Sequence, residues 1–324
     1  MRYFKYAILA IVSLFAATAW AGPAEYPDKP VTVIVPFAAG GPTDTIARVV
    51  ATSMDAQSGK SFVIENLGGA GSTIGTAKVA RAKPDGYTLL WGSSSALVIA
   101  PHLYAHLAYD PVKSFEPVGR VASTPYVLMV RADSPYKTYE DLIAGMRKKP
   151  GSLNFGSPGE GTSLHLTLEL MLEENGVKAV HVPFKGGAPA MQALLGGYVQ
   201  FLVDVPSAAL PMIKSGRVRA LAVTSATRLP ELPDTPTLQE LGLKNFESQA
   251  WFAVLAPRGT PAPIVEKLQK MLRAALKDPK VVSTLDAQGF HALDPSPAEL
   301  SEAIERESKL WGKVIKSRHI QLKN

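Results

Sequence analysis

Val31-Thr32-Val33-Ile34-Val35 is an unbroken β-branched run, and Ile46, Val49, Val50 and Met54 recur behind it at helical spacing, which predicts a strand, a loop and a helix. The same alternation returns as a strand Ser61 to Glu65, a Gly-rich loop, a helix through Ala77 to Arg81, a Pro84-Asp85-Gly86 turn and a strand Tyr87 to Trp91. Strands alternating with helices predict an α/β fold with parallel sheets. A second series starts with the strand Tyr126 to Val130 and a helix opened by a capping box, Thr138-x-x-Asp141. It continues with a strand Leu153 to Phe155 and a helix carrying Leu164, Leu168, Met171 and Leu172, closed by Gly176. Strands Ala179 to Val182, Val199 to Val203 and Ala220 to Val223 follow, separated by helices starting at Pro189 and Pro206. These units predict a second sheet. Beyond a Pro-rich stretch, Leu229 to Pro236, come a strand Trp251 to Leu255 and helical segments Pro261 to Lys277, Lys280 to Gln288 and Pro297 to Lys316. Helices with so few strands of their own need an existing sheet to cover, so they are expected to return to the first domain.

The amino terminus reads as an export signal. Arg2 and Lys5 precede an apolar run, Tyr6 to Ala17, and Ala19-Trp20-Ala21 supplies a small-x-small cleavage pattern. That run is short of the ~20 residues a membrane span needs. No Arg-Arg pair precedes it and no Cys follows to accept a lipid, so a leader of residues 1–21 and a free periplasmic product starting at Gly22 are expected. At 324 residues the chain exceeds what one core usually serves. The expected division is a first lobe of 22–124 plus 248–324 and a second of 125–247, with hinges at Ser123 to Tyr126 and Asn245 to Trp251. The absence of Cys suits an oxidising compartment and removes thiol chemistry. A net charge of +6 invites a nucleic-acid reading, but two of the cations lie in the leader and the rest are dispersed, so no nucleic-acid partner is expected.

Catalytic signatures are lacking: there is no G-x-S-x-G elbow, phosphate loop or H-E-x-x-H. In Gly69-Ala70-Gly71-Ser72-Thr73-Ile74 the third glycine of a dinucleotide fingerprint is replaced by Ile74, with Gly75 one residue late, so no cofactor is expected. His102 and His106 share a helical spacing without a third ligand, and no metal is expected either. What recurs is a strand that ends in a Gly/Ser/Thr-rich loop feeding a helix start: Pro36 to Asp44, Gly68 to Thr73 and Gly156 to Ser163. Glycine admits close backbone approach, and a helix start offers free N–H donors with partial positive charge, so each loop suits a carboxylate. Helix capping by Thr43, Asp44, Thr162 or Ser163 is the competing account of any single loop. Lys185 is expected to be a rim or structural residue.

Tyr26-Pro27-x-Lys29-Pro30-Val31, Val35-Pro36-Phe37-x-x-Gly40-Gly41-Pro42-Thr43-Asp44, Pro84-Asp85-Gly86-Tyr87-Thr88-Leu89, His181-Val182-Pro183-Phe184-Lys185-Gly186 and Leu221-Ala222-Val223-Thr224-Ser225 resemble the Bug family of extracytoplasmic solute receptors. The likeness runs from Tyr26 through Trp251-Phe252 and Leu255-Ala256-Pro257-x-Gly259-Thr260-Pro261 to near the carboxy terminus. The resemblance implies a two-lobed α/β periplasmic binding protein of type II-like, Venus-flytrap form, with a sheet in each lobe. It implies a monomer that takes a small carboxylated solute to the membrane permease subunits of a tripartite tricarboxylate transporter. In such receptors the ligand carboxylate sits between the first βα loop of each lobe, held by backbone N–H groups and bridging water. That maps the site onto Phe37, Ala39, Gly40, Gly41, Thr43 and Asp44 in one lobe and Ser157, Gly161, Thr162, Ser163 and His165 in the other, and the family's cleft aspartate onto Asp204. The chain departs from the family pattern at Ala38-Ala39 and at the acidic Glu160. The alternative is a periplasmic hydrolase using Ser93, Ser94 or Ser157 with a nearby His; without a nucleophile, base and orienting carboxylate in a recognised order, a receptor rather than an enzyme is expected.

Overall fold

The computed structural model describes residues 26–322, so the expected leader and its cleavage point lie outside the described residues. The chain runs β1 (Val31–Val35), α1 (Pro42–Ser58), β2 (Phe62–Asn66), α2 (Thr73–Ala80), β3 (Thr88–Ser93), α3 (Ala100–Leu103) and β4 (Phe115–Pro125). It continues through β5 (Val127–Arg131), α4 (Tyr139–Lys148), β6 (Asn154–Ser157), α5 (Ser163–Asn175), β7 (Val180–Pro183), α6 (Gly187–Leu195), β8 (Phe201–Asp204), α7 (Pro206–Lys214) and β9 (Val218–Val223). β10 (Gln249–Pro257), α8 (Ala262–Ala275), α9 (Pro279–Ala287), β11 (His291–Ala292) and α10 (Pro297–Ser317) complete it. Two sheets result, ordered β11-β4-β10-β3-β1-β2 and β7-β6-β8-β5-β9.

Local chemistry accounts for most of these boundaries. β1 is flanked by two parallel neighbours, β2 and β3, and four of its five side chains are buried, as a continuous apolar run requires. Pro42 opens α1, Gly59 in left-handed conformation closes it, and Ile46, Ala47, Val50, Ala51 and Met54 make its buried face. The Thr138–Asp141 capping box forms in both directions, and Gly176 ends α5 at φ 61°.

β4, an eleven-residue strand, departs from the sequence reading. Pro117, Gly119 and Pro125 hide it by interrupting the alternation, and the register shifts where it pairs with β10 absorb these irregularities. A π-helical turn at Ser95–Ile99 leading into α3 was likewise not expected. Pro101 has no N–H to return to Leu97, and the turn before it is widened, with Ala100 N–H reaching Ser95 O. The late helices pack as follows: α8 on β4 and α1, α9 on α1, and α10 on β4. α10 also lies against α5, which packs on the second sheet, so it returns to the first sheet while touching both.

The chain passes between sheets at Tyr126 and again between β9 and β10, and one hydrogen-bonded cluster joins the two passages. Thr224 Oγ1 accepts from Tyr126 N–H (2.8 Å) and donates to Ser248 O (2.5 Å), while Ser248 Oγ meets Thr167 Oγ1 at 2.6 Å. All four residues are buried. A single apolar cluster continues through this seam, from Ile34 and Leu90 through Tyr126 and Trp251 to Phe155, with Trp311, Val314 and Ile315 of α10 packed into it. Thr224→Val keeps the shape but strands the buried Tyr126 N–H. It is expected to lower unfolding stability by about 1–3 kcal/mol in urea denaturation, against a negligible change for a hydroxyl that bonds only solvent.

A candidate ligand cleft between the two sheets

The loops that end β1, β2 and β6 meet at a cavity of about 300 Å³. One wall is the π-helical turn and α3, contributing Ser95, Ile99, Ala100 and Leu103; the other is the entry to α5, Glu160 to Leu164. Phe37, Gly71, Ser72 and Tyr104 complete the first side and Leu322 reaches in from the carboxy-terminal segment. Gly75, one residue late for a dinucleotide motif, has a packing role. A Cβ there would lie 2.6 Å from Leu67 O and 2.9 Å from Pro36 Cβ, so α2 rests directly on the ends of β1 and β2.

The residues expected to bind are distributed unevenly. Phe37, Gly161, Thr162 and Ser163 line the cavity. Ala39 and Gly40 stand exposed at the tip of their loop, with Gly41 and Thr43 half-buried behind them. Asp44 is buried and fully engaged: Oδ2 accepts from Gly40 N–H and Arg48 Nε, and Oδ1 from Asn66 Nδ2, each at 2.9 Å. Burial opposes its ionisation, but these donors hold its carboxyl below the ordinary range. Asp44 therefore braces the loop and leaves the N–H groups of Thr43 and Asp44 at the start of α1 without a protein acceptor among the described residues.

Ser157 and His165 lie behind the cavity wall. Thr162 caps α5 by accepting from His165 N–H, and His165 Nδ1 accepts from Gly161 N–H at 3.1 Å, folding the loop back on the helix start. His165 Nε2 faces Glu169 Oε1 at 3.5 Å, and Glu169 Oε2 pairs with Arg318 from the end of α10. Burial would raise the Glu169 carboxyl, but the His165 hydrogen bond and the Arg318 guanidinium outweigh it and hold it low. His165 is stacked on His181, ring centroids 3.7 Å apart, and Phe155 flanks both. Burial, with the neighbouring His165, pushes His181 down to about 3. The outcome is a cavity wall whose free donors are the Ser163 and Leu164 N–H groups, neither of which has an acceptor among the described residues. Ser163 Oγ is also fixed, accepting from the buried Tyr126 hydroxyl at 2.8 Å, so the passage between sheets is wired to the cavity wall.

Asp204 is off the cavity, at the carboxyl end of β8. Its Oδ1 accepts from Val205 N–H at 2.8 Å, while Oδ2 lies beside Gly187 at the start of α6, and burial pushes the carboxyl up to about 6.

The serine chemistry weighed against a receptor finds no support. Ser157 Oγ is 2.6 Å from His181 Nε2, but it also donates to Gly159 O and accepts from Gly159 N–H, and the residue is 1% exposed. The Ser93 and Ser94 side chains accept from Ala96 and Trp251 N–H and are equally buried. Among the described residues no group of His, Cys, Asp and Glu could hold a metal, and His102 instead bonds Ser308. Lys185 is exposed. Sequence reasoning missed the π-helical wall and Leu322. Only Pro101 hinted at the former.

Comparison with known proteins bears on the family and the fold. The profile of the "Tripartite tricarboxylate transporter family receptor" family matches residues 46–320. The protein BugT of Bordetella pertussis is 36% identical over 321 residues, 98% of each chain. The solved periplasmic binding protein BugD is 40% identical with a TM-score of 0.74, covering 92% of this chain and 100% of its own. A protein of R. palustris solved with adipate is 36% identical with a TM-score of 0.77 at the same coverage. The two-sheet α/β fold is that of the periplasmic binding proteins, the match extends across nearly the whole chain, and the cleft lies where the two sheets' loops converge: the chain belongs to the receptor family of the tripartite tricarboxylate transporters.

Proposed function

We propose that this protein captures a small carboxylated solute in the cleft described above and presents it to the permease subunits of a tripartite tricarboxylate transporter. The carboxylate rests on the first turn of α5, where the Ser163 and Leu164 N–H groups and the Ser163 hydroxyl converge on the cavity, the Thr162 hydroxyl being already committed to Gly159 O and His165 N–H. The Phe37 to Asp44 loop completes the site as the lobes, 22–124 plus 248–324 and 125–247, close about the passages near Tyr126 and Ser248. Asp204, beside the start of α6, meets a polar group of the solute or bound water rather than the carboxylate. The protein acts as a monomer in the periplasm after removal of its leader.

The observation that carries this reading is the pair of helix-start N–H groups, without an acceptor among the described residues, at the wall of the cavity. Among the described residues no Lys, Arg or His side chain lines that cavity, and backbone dipoles with the Ser163 hydroxyl are the groups offered to the anion. Charge-assisted bonds worth about 1.5–3 kcal/mol each reach micromolar affinity, about 8 kcal/mol net, with a handful of contacts. A thermal-shift panel of mono-, di- and tricarboxylates and acidic amino acids tests it. At a hundred times Kd a cognate acid adds about 2.7 kcal/mol to folding stability. Calorimetry of the hits should return the acid chemically unchanged. A panel without a single hit, or an acid recovered as a product, would defeat the proposal.

A further inference from the structure

The turn that aims the α5 donors is held from a distance. Gly161, at φ +73°, leads the loop into α5, and its N–H donates to His165 Nδ1 at 3.1 Å. A ring nitrogen that accepts carries no proton, so the neutral imidazole has its one proton on Nε2, which faces Glu169 Oε1 at 3.5 Å. The other oxygen, Glu169 Oε2, accepts from Nε of Arg318, the residue that caps the end of α10. The His165 side chain is 3% exposed, that of Glu169 9% and that of Arg318 24%, so an unbroken line of polar contacts runs from near the surface to the buried face of the loop. It also joins the two layers, since α10 packs on the first sheet and α5 on the second. Neighbouring contacts fix the end of α10 in place: Ser317 Oγ donates to Glu173 Oε2 at 2.7 Å, and Lys313 Nζ lies 4.0 Å from Glu173 Oε1. We propose that Arg318 is a positioning residue for the solute: acting through Glu169 and His165, it holds the Gly161 turn in the shape that presents the Ser163 and Leu164 N–H groups to a carboxylate.

This rests on the carboxylate-capture reading and adds the means by which its donors are aimed. A carboxylate as buried as that of Glu169 demands a cation. While Arg318 supplies it, His165 need only offer its Nε2 proton, and its Nδ1 lone pair stays with Gly161. Without Arg318 the carboxylate either swings towards water or draws its balancing charge from His165. The first removes the acceptor that orients the ring. The second puts a proton on Nδ1, donor against the Gly161 donor, and the turn opens. The groups around the ring do not substitute for Arg318: His181, stacked 3.7 Å away, is bonded to Ser157, and Lys313 is directed to Glu173.

The test has two arms. With no acid present, amide hydrogen exchange read by NMR reports on the turn: Arg318→Met is expected to speed exchange at Gly161 at least tenfold and to change the Gly59 amide, which closes α1 by donating to Asp55 O, less than threefold. With acid present, calorimetry uses whichever of glutarate, citrate, L-glutamate and benzoate binds the parent most tightly. Arg318→Met is expected to weaken that acid at least tenfold, and Arg318→Lys, which keeps the charge, to stay within threefold of the parent. In a Glu169→Gln background, where no buried charge needs a cation, the same Arg318→Met change is expected to alter affinity less than threefold, whereas a merely structural contact at the end of α10 costs as much in either background. Arg318→Gln replaces the Met variant if circular dichroism shows that the latter does not fold. A Gly161 amide that does not respond, Gly161 and Gly59 accelerating alike, or losses that add across the two backgrounds overturns the inference. Silence from all four acids counts against the capture reading, and the exchange arm, which needs no acid, then decides the present inference alone.

Discussion

Replacing Gly161 with valine is expected to weaken binding of the cognate carboxylate at least a hundredfold while both sheets stay folded. Gly161 has φ +73°, a left-handed conformation that costs an L-residue roughly 1–2 kcal/mol and that a β-branched side chain scarcely adopts. Its Cβ would also fall 2.6 Å from Leu103 Cδ1 and 3.2 Å from Leu322 Cδ2, atoms of the opposite wall. Either the loop leaves the left-handed region, breaking the Gly161 N–H to His165 bond, or the two methyl groups are driven outward and the walls cannot meet. In both cases the turn that aims Ser163 and Leu164 at the solute is displaced. Gly176→Val is the control. It imposes the same backbone penalty at φ +61°, at the far end of α5 where a Cβ meets nothing within 4 Å. Both variants should lose similar stability by circular dichroism, and only Gly161→Val should lose calorimetric binding. Equal affinities in the two would exclude the loop from the site.

The second large effect concerns acid. The His181 pKa is depressed in the folded protein, from 6.5 to about 3, so between those values the unfolded chain takes a proton that the folded one refuses. Stability from this group falls as pH falls, by about 1.4 kcal/mol per pH unit. Asp204 acts oppositely. Its folded pKa is raised from 3.8 to about 6, so the folded protein takes the proton first and stability from this group rises as pH falls from 6 towards 4. The two slopes nearly cancel across that window, and removing one exposes the other. Relative to the parent, Asp204→Asn is expected to lose about 2–3 kcal/mol on going from pH 6 to pH 4. His181→Phe, which keeps the stack with Phe155, is expected to gain a similar amount over the same interval. Taking differences against the parent cancels the contributions of Asp44 and Glu169, whose carboxyls are held low. Urea unfolding at pH 4, 5 and 6 gives the slopes, and three parallel profiles would show that neither burial governs titration.

Much of this architecture was readable in the sequence because its signals are local. The β1 run, the Thr138–Asp141 box and Gly176 each act within a few residues, and each does in the fold what its chemistry predicts. The family likeness rested on such loops too. β4 was illegible because its two prolines and Gly119 are tolerated only through a bulged pairing with β10, more than a hundred residues away. The cavity was half legible for a related reason. Glycine-rich loops mark where helices start, but which of their residues face a ligand depends on side chains that brace them from elsewhere. Asn66 and Arg48 turn Asp44 inward, and His165 is drawn down by Glu169, itself held by Arg318, 149 residues further along the chain from Glu169. Ile99 and Leu103 carried no polar signature at all. Apolar wall residues look like core until the opposite wall is placed.

Trp251 spans the passage between the two sheets: it lies in β10, fully buried, and its indole N–H donates to Glu307 of α10 at 2.7 Å. Trp311, one turn further along α10, lies close by in the same apolar seam. Of the three tryptophans among the described residues, two thus sit at the passage about which the proposed closure would turn, while Trp91 is fixed in β3. Their emission makes the chain its own optical reporter. A change in water access to the Trp251 indole, or in its bond to the Glu307 carboxylate, shifts the colour and yield of that emission, so the proposed closure can be looked for in real time without any label.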